Sequence, residues 1–444
     1  MNRVLLVNAG WGPLFSGRVR RYNRAFPPLD LLNCAAVLRQ QGTDVALVDA
    51  RVGDPMDPVL ADEYDQYLVT LSPLDRWQCP NIDLEQIDRF LKPFPRNRTI
   101  LMGAQATISP EYILERTGVS GLILGQPESS VSALAAGVLP GECAGTACLV
   151  DGGLQKAAEA PDLPLTDFPI PAFDMIDFGR YRYEVLGSEF GLLELTRGCP
   201  WSCHFCLLEM YGKKYRRKEP AQMVREIRAA WDHGMRCAYF QDLEFTLDHD
   251  LIGAFCDALL SDGPPLRWAC QTRPDTVDAA LLRQMRRAGC ELIHYGVESG
   301  SERILASTGK RQTREAVEQG VALAHESGMR TLCYFLIGLP GERPSEMLET
   351  RQFAEQLAPT YASFQVATPY PGTPFYEEQS FDEPFPECFP GELTGTELRA
   401  MASRFTTRYH LRPGYLAKRA LSTGRSGAWR ELRLLASYLR PGSG

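Results

Sequence analysis

The chain is organised around the octet Cys199-Pro200-Trp201-Ser202-Cys203-His204-Phe205-Cys206. Its three thiols stand at the spacing C-x3-C-x2-C, with no fourth cysteine close behind. Three thiolates can bind three irons of a cubane [4Fe–4S] cluster, which leaves the fourth iron open to a small molecule. A closed structural zinc site needs four ligands. The octet therefore predicts a reactive cluster, and the alternatives are a zinc site completed by His204 or a set of buried free thiols.

The composition is typical of a globular protein of two or three domains. The chain has 444 residues, of which 44% are hydrophobic and 23% charged, with a net charge of −8. This charge gives no reason to expect a nucleic acid or an anionic membrane as a partner. No apolar run approaches the length of a membrane span, and the first residues predict a strand instead of a signal peptide. Thirteen cysteines in such a chain indicate reduced thiols and a cytoplasmic protein.

Strand and helix signals alternate over residues 1–150 and predict an open parallel sheet of the Rossmann-like or flavodoxin-like kind. Ligands of such sheets bind beyond the carboxyl ends of the strands. Residues 151–188, rich in proline and aspartate, are expected to form a linker. The strands are predicted at 4–7, 45–48, 67–71, 99–102 and 121–124, with a first helix at 28–39.

Residues 189–375 predict a partial (β/α)6 barrel, and such barrels carry functional groups at the C-terminal ends of their strands. Asp242 and Glu244 follow the second strand, and either carboxylate would suit an ammonium group. Arg273 follows the third strand and could pair with a carboxylate through two hydrogen bonds. The strands are expected at 192–196, 237–241, 267–271, 291–296, 331–337 and 361–367, and the helices at 220–233, 278–288, 314–327 and 344–357.

Residues 376–444 lose this alternation and predict a mostly helical C-terminal domain. Thr394 or Thr396 is expected to cap a helix that runs to Tyr409, with Glu397 close behind. Further helices are predicted at 414–421 and 428–439. The region would either close the open side of the barrel or serve only as a packing appendage.

The octet resembles the cluster loop of the radical S-adenosylmethionine (SAM) superfamily. With Arg273 and the turn Gly296-Val297-Glu298-Ser299-Gly300, the resemblance extends over about residues 188–375. It implies that the open iron binds SAM and that an electron from the cluster cleaves SAM to a 5′-deoxyadenosyl radical. Lys310 also matches the family pattern, with no role assigned. The implied cluster ligands are Cys199, Cys203 and Cys206, and the implied SAM contacts are Phe205, Asp242, Glu244, Arg273, Glu298 and Ser299.

The first domain, over residues 1 to about 135, resembles the cobalamin-binding domain of one radical SAM subgroup. One feature departs from the subgroup: the motif Asp-x-His-x-x-Gly, whose histidine ligates cobalt, is absent, and no histidine precedes His204. Cobalt bound here would therefore lack a histidine ligand from this domain. The resemblance implies cobalamin contacts from Asn8, Gly10, Ser72, Trp77, Gly103, Gln105, Thr107, Gly125 and Glu128.

This resemblance implies a cobalamin-dependent radical SAM enzyme that methylates an unactivated carbon of a small molecule. Its electrons would come from an external donor of the flavodoxin or ferredoxin type. One alternative keeps the architecture but performs a cyclisation or rearrangement without methyl transfer. In a second alternative the first domain binds no cobalamin and serves as a docking module. A third is a non-enzymatic iron–sulfur or zinc protein.

Overall fold

The computed structural model describes residues 2–10, 25–61, 63–71, 84–208 and 212–419. Two large sheets organise these residues, one in each predicted α/β region. The predicted sites at Ser72 and Trp77 lie outside the described residues, as does the helix expected at 428–439.

The first sheet has seven strands within the described ranges, in the order β2-β1-β3-β4-β5-β6-β7. The first five are parallel and follow the flavodoxin-like order, as predicted. Apolar side chains cover both faces, because a parallel sheet is buried on each side by its crossover helices. Its elements are β1 (Arg3–Asn8), α1 (Leu29–Gln40), β2 (Asp44–Asp49), α2 (Asp57–Leu60), β3 (Gln66–Thr70), α3 (Leu84–Phe90), β4 (Thr99–Met102), α4 (Ala104–Ile108), α5 (Pro110–Thr117), β5 (Gly121–Ile123), α6 (Val131–Ala135), β6 (Thr146–Val150) and β7 (Gly153–Lys156).

The last two strands of this sheet form an antiparallel hairpin on the edge of β5. The predicted domain boundary at residue 150 falls inside this hairpin, so the sheet continues to Lys156. The chain then crosses to the barrel in short turns and a second small hairpin, β8 (Arg182–Tyr183) and β9 (Gly187–Ser188).

The second sheet is the predicted partial barrel, with six parallel strands in sequence order among the described residues. Helix α8 was not predicted. The elements are β10 (Phe190–Leu193), β11 (Thr196–Arg197), β12 (Arg216–Arg217), α7 (Pro220–Asp232), β13 (Cys237–Phe240), α8 (His249–Asp262), β14 (Arg267–Thr272), α9 (Ala279–Arg287), β15 (Cys290–Glu298), α10 (Glu302–Ser307), α11 (Arg314–Glu326), β16 (Arg330–Ile337), α12 (Pro344–Leu357) and β17 (Tyr361–Val366). Of these, β11 and β12 pair only with each other, outside the barrel sheet.

The C-terminal region follows as α13 (Pro374–Glu377) and α14 (Gly395–Leu411), and residues 413–419 are again helical. Thr394, not Thr396, caps α14, in a reciprocal pair with Glu397. Leu398 and Phe405 of α14 belong to the same apolar core as the barrel strands. This helix therefore extends the barrel and packs beside β17. Within the described residues, no helix has the length and hydrophobicity needed to cross a membrane.

Candidate active site

The cysteine loop leaves the barrel after β10 and is closed at its base by the β11–β12 pair. Arg197 and Arg216 lie opposite each other in this pair. Gly198 follows with a φ of +90°, and a Cβ on it would lie 2.2 Å from the carbonyl oxygen of Lys214. Only glycine fits such a close approach of two backbone segments. The base of the loop is thereby fixed immediately before Cys199.

The middle of the loop is held by His204. Its backbone N–H donates to the carbonyl of Thr308 at 2.8 Å, and its ring Nδ1 lies 2.9 Å from the carbonyl oxygen of Ser307. The opposite ring edge faces Gly309, where a Cβ would come within 2.6 Å of Nε2. Both ring nitrogens therefore face the turn after α10. This arrangement does not favour the alternative in which His204 completes a zinc site.

The three thiols are suited to a cluster. Cys199 is buried, whereas Cys203 and Cys206 are half-buried. Burial raises the pKa of the Cys199 thiol to about 12 and also raises the pKa of Cys203, so a bound metal is needed to stabilise the thiolates. Among the described residues no three His, Cys, Asp or Glu side chains converge on a single ion. A cubane does not require convergence, because each thiolate binds a different iron.

Charged groups from four different segments approach the Cys203 thiol. They are Lys310, Glu298, Arg273 and Glu244, and the two cations oppose the effect of burial on its pKa. Glu244 follows β13, Arg273 follows β14, Glu298 ends β15, and Lys310 follows α10. The structure thus brings three of the predicted SAM contacts to the cluster loop, together with Lys310.

Arg273 is already engaged on several sides. Its guanidinium donates to both carboxylate oxygens of Asp275, at 2.8 and 2.6 Å, and to the carbonyl of Lys310 at 2.8 Å. It also stacks on the indole of Trp201 at 4.2 Å, a residue between two of the cluster cysteines. The buried Nη1 has no partner among the described residues. The two N–H groups of Arg273 that could bind a ligand carboxylate, on Nε and Nη2, are thus already bonded to Asp275. Its Nη1 is the nitrogen that remains for a ligand.

Glu298 and Lys310 form a buried ion pair at the end of β15. The Lys310 Nζ lies 2.6 Å from Glu298 Oε1 and donates to the carbonyl of Gly296, also at 2.6 Å. Glu298 has a φ of +71°, which is strained for a residue other than glycine. The sequence matched Lys310 to the family pattern but did not reveal this pairing, because the two residues meet only when α10 folds back on the strand end.

Asp242 and Ser299 serve to join elements in the structure as it stands. Asp242 is buried and accepts from the backbone N–H groups of Leu195 and Thr196, at 3.1 and 2.6 Å, and from the Thr196 hydroxyl at 2.7 Å. Burial raises its pKa to about 7 despite these bonds. Ser299 Oγ lies 3.1 Å from Thr350 Oγ1 on α12. Both residues remain predicted SAM contacts. In the structure their hydrogen bonds connect the ends of β13 and β15 to neighbouring segments.

Glu244 accepts hydrogen bonds from the hydroxyls of Thr272 and Thr276, at 2.5 and 2.8 Å, and from the backbone N–H of Arg273 at 3.2 Å. Burial raises the pKa of this carboxyl as well. Phe205, the predicted neighbour of adenine, is half-buried against an apolar group at the barrel end. The group consists of Ile304, Leu339, Ala367, Phe375 and Phe389.

Those predicted cobalamin contacts that the structure describes lie along the carboxyl edge of the first sheet. Gly103, with a φ of +125°, immediately precedes α4. The Thr107 hydroxyl donates to the carbonyl of Gly103 and accepts from the N–H of Gly125, at 2.9 Å each. Gln105 is fully buried within α4. Asn8 donates to Asp49 at 2.9 Å. A Cβ on Gly10 would lie 2.8 Å from the Cβ of Ala50.

This edge faces the cysteine loop. Ala104 and Ile108 of α4 pack against Leu207, one residue beyond Cys206, and against Tyr370 of the loop after β17. A ligand at the edge of the first sheet is therefore next to the cluster loop. This placement is compatible with a cofactor shared by the two regions.

Glu128, which also remains a predicted cobalamin contact, belongs to a buried ion pair in the structure. Its carboxylate accepts from the Arg197 guanidinium at 2.9 and 3.2 Å and from Asn33 at 3.1 Å, and it is fully buried. Arg197 also pairs with Glu194 at 2.7 Å. Glu128 thus faces the base of the cysteine loop. Arg197 went unnoticed in the sequence, although it stands only two residues before Cys199.

Residues 193–354 match the model of the Radical SAM superfamily. An uncharacterised methyltransferase of Pyrococcus horikoshii is 27% identical over 360 residues, which cover 79% of this chain and 78% of the relative. The anaerobic magnesium-protoporphyrin IX monomethyl ester cyclase of Cereibacter sphaeroides is 29% identical over 239 residues, 53% of this chain and 39% of that longer relative.

Two solved structures share the fold. The radical SAM methyltransferase TsrM of Kitasatospora setae, with cobalamin and a [4Fe–4S] cluster bound, superposes with a TM-score of 0.69 at 20% identity, over 85% of this chain and 74% of the other. The cobalamin-dependent radical SAM enzyme OxsB, with aqua-cobalamin and SAM bound, gives 0.73 at 18% identity, over 99% and 72%. Residues 193–354 of this chain therefore form a radical SAM domain, and the chain is an enzyme.

Proposed function

We propose that the protein is a cobalamin-dependent radical SAM methyltransferase that methylates an unactivated carbon of a small molecule. The observation that carries the proposal is the three-cysteine loop set between the Arg273 and Glu298–Lys310 groups on one side and the edge of a flavodoxin-like sheet on the other. When bound, the cluster and SAM supply a 5′-deoxyadenosyl radical, and methylcobalamin supplies the methyl group.

The protein's own residues position these reactants. Cys199, Cys203 and Cys206 bind the cluster. Arg273, through its buried Nη1, suits the carboxylate of SAM, and Glu298 suits its ammonium group once Lys310 moves or shares the carboxylate. The remaining predicted contacts are Phe205, Asp242, Glu244 and Ser299 for SAM, and Asn8, Gly10, Ser72, Trp77, Gly103, Gln105, Thr107, Gly125 and Glu128 for cobalamin.

The proposal includes an external electron donor of the flavodoxin or ferredoxin type and a cytoplasmic location. The cysteines support both, because twelve are free thiols in the described part of the chain and a low-potential cluster needs a reducing compartment. The second candidate function is a cyclisation or rearrangement without methyl transfer, and the similarity to the magnesium-protoporphyrin cyclase favours it specifically.

The test is anaerobic reconstitution with iron, sulfide and hydroxocobalamin, followed by reduction in the presence of SAM carrying a CD3 group. We expect about four irons per chain, corrin absorbance that travels with the protein through gel filtration, and formation of 5′-deoxyadenosine and S-adenosylhomocysteine. The variant with all three cluster cysteines changed to alanine should form no 5′-deoxyadenosine. Corrin-free protein that still makes 5′-deoxyadenosine would favour the docking-module alternative over the methyltransferase.

A further inference from the structure

Two buried N–H groups next to the cysteine loop have no acceptor in the part of the chain that the structure describes. One is the indole Nε1 of Trp201, which stands between Cys199 and Cys203 in the sequence, and the other is the guanidinium Nη1 of Arg273. The two side chains are stacked, with Cζ of Arg273 at 4.2 Å from the centroid of the Trp201 ring. The unpaired donors therefore belong to a single contact between the loop and the residue that follows β14.

The hydrogen atoms of the Arg273 guanidinium are all accounted for. A guanidinium has five N–H groups and no acceptor. Its Nε donates to Asp275 Oδ1 at 2.8 Å, and its Nη2 donates to Asp275 Oδ2 at 2.6 Å and to the carbonyl oxygen of Lys310 at 2.8 Å. Three N–H groups are thus bonded, and they fix the plane of the guanidinium. The two that remain are both on Nη1.

The indole of Trp201 is held from its backbone and from one face. Burial raises the pKa of the Cys199 thiol, and the backbone N–H of Trp201 opposes this effect by donating to the sulfur. The guanidinium of Arg273 covers one face of the ring as a cation–π contact. An indole N–H can only donate. The ring therefore carries one unpaired donor, and the stacked guanidinium carries two.

The carboxylates that the structure brings to the cysteine loop are engaged elsewhere. Glu244 accepts from two threonine hydroxyls and from the backbone N–H of Arg273. Glu298 pairs with Lys310 at 2.6 Å. The two unpaired nitrogens are also shielded from solvent, so water does not serve as their acceptor. An acceptor from outside the chain is therefore needed to complete these hydrogen bonds.

Such an acceptor can approach the loop from the solvent side. Cys199 is buried, whereas every residue from 201 to 206 is at least partly exposed. Burial raises the pKa of the Cys203 thiol, and Arg273 is one of two cations close enough to oppose this effect. A ligand bound next to Cys203 is therefore also near the unpaired donors.

The chemistry of these donors favours an anion with two acceptor oxygens. Two of the N–H groups belong to a permanent cation, and hydrogen bonds between charged groups are the stronger ones. An ionised carboxylate donates nothing and accepts at both oxygens, so it can take one hydrogen bond from Nη1 and another from Nε1. SAM carries one carboxylate, on its methionine part.

We propose that the indole N–H of Trp201 is a further contact to SAM: with Nη1 of Arg273 it binds the carboxylate, and its ring holds the guanidinium in place. The inference rests on the proposed radical SAM function. Trp201 was not among the predicted SAM contacts, because an aromatic residue between two cluster cysteines has no distinguishing pattern in the sequence. Its role depends on the stack with Arg273, which lies 72 positions further along the chain.

The experiment measures binding. Protein reconstituted with its cluster is matched for iron content, and equilibrium dialysis gives the dissociation constants of two probes, SAM and decarboxylated SAM, which lacks only the carboxylate. The variant Trp201→Phe keeps an aromatic ring on Arg273 and loses the N–H. The matched control is Trp231→Phe on α7, outside the loop, where another half-buried indole stacks on Arg236 at 4.3 Å.

We expect Trp201→Phe to bind SAM about tenfold more weakly than wild type, since it loses a hydrogen bond to a charged group. Its dissociation constant for decarboxylated SAM should stay within about twofold of wild type, because that probe has no carboxylate to accept from the N–H. Trp231→Phe should match wild type for both probes. Equal losses for the two probes overturn the inference, as does unchanged binding of SAM by Trp201→Phe.

The electron paramagnetic resonance spectrum of the reduced cluster shows whether the N–H binds the cluster instead. Without SAM, Trp201→Phe and wild type should give the same spectrum. A different spectrum would assign the N–H to the cluster and overturn the inference.

Wild type separates this inference from the proposed function. Wild type that carries its cluster but binds no SAM overturns both. Wild type that binds SAM and forms 5′-deoxyadenosine, beside a Trp201→Phe variant that binds SAM equally well, overturns only the role of Trp201.

Discussion

Gly296 leaves room for the ion pair that borders the candidate SAM site. A Cβ at this position would lie 2.5 Å from Glu298 Oε1 and 2.7 Å from Lys310 Nζ. Both atoms end flexible side chains, so Gly296→Ala should displace the pair and leave the fold intact. We expect the affinity for SAM to fall about tenfold, measured by equilibrium dialysis on the reconstituted protein.

The matched control is Gly391→Ala, because a Cβ at Gly391 meets nothing within 4 Å. This variant should bind SAM as wild type does. Equal dissociation constants for the two alanine variants would contradict the importance of the Glu298–Lys310 geometry for SAM.

Asp242 should make the stability of the metal-free protein depend on pH. Burial raises the pKa of its carboxyl to about 7, above its value of about 3.8 in the unfolded chain. Between these values the folded state binds more protons than the unfolded state. Proton binding to Asp242 therefore stabilises the folded state most below about pH 4. The free energy of unfolding decreases as the pH rises from about 4 to about 7, and above that this group causes no further change.

Asp242→Asn removes the titrating group and keeps an oxygen that can accept from Thr196. We expect the decrease in urea midpoint between pH 4 and pH 7 to be smaller in the variant than in wild type. Parallel midpoint curves for the two proteins would show that the carboxyl titrates normally.

Side-chain roles could be predicted from the sequence only where local spacing determines them. The three cysteines lie within eight residues, and their spacing alone indicates a shared ligand. Arg197 and Glu128 are 69 residues apart, and Lys310 meets Glu298 only after α10 folds back. No local pattern encodes such contacts, so the sequence predicted neither the Arg197–Glu128 ion pair nor a role for Lys310.

At the scale of elements, prediction succeeded where apolar periodicity was regular. The helix at 344–357 and the strand at 99–102 have the predicted bounds. The β6–β7 hairpin was overlooked although Asp151-Gly152 is a known hairpin dipeptide, and both residues have the positive φ that a type I′ turn needs. Helix α8 was also missed, although Asp248 caps it through the N–H of Leu251. In both cases the turn or cap residue could have been used to predict the element that was missed.

Helix α14 offers a test of capping. The Thr394 hydroxyl accepts from the N–H of Glu397, and the Glu397 side chain accepts from the N–H of Thr394. Thr394→Ala should lower the free energy of unfolding by about 1 kcal/mol, measured by urea denaturation. Thr396→Ala, in the first turn but not at the cap, should have a smaller effect. A larger loss from Thr396→Ala would contradict the assigned cap.

At the scale of the whole molecule, the two α/β regions are joined through charge as well as through apolar contact. Phe26, ahead of α1, packs on Phe190 of the barrel at 6.0 Å between ring centroids. In addition, Arg197 forms ion pairs with Glu128 of the first region and Glu194 of the second, with all three side chains at most 5% exposed. Arg197 precedes Cys199 by two residues. The same guanidinium therefore contributes both to the contact between the two regions and to the position of the cluster loop.

Removing that guanidinium should lower the free energy of unfolding strongly. Arg197→Met would leave two buried carboxylates facing each other without a cation, and breaking such a group costs about 3–5 kcal/mol. Glu128→Gln should lower the free energy of unfolding less than Arg197→Met does, because Arg197 keeps Glu194 as its counter-ion and the amide oxygen can still accept a hydrogen bond. The control is Arg39→Gln, which removes an exposed ion pair between the first region and the connecting segment. This pair, Arg39–Asp174 at 2.8 Å, contributes about 1 kcal/mol or less to stability.

Urea denaturation of the reduced, metal-free protein measures these differences, and limited proteolysis of the segment between Lys156 and Arg182 reports whether the two regions separate. We expect the order Arg197→Met, Glu128→Gln, Arg39→Gln from most to least destabilised, with faster cleavage only in the first. If Arg197→Met and Arg39→Gln unfolded at the same urea concentration, the buried charges would not join the regions, and the apolar contact around Phe26 would be sufficient to do so.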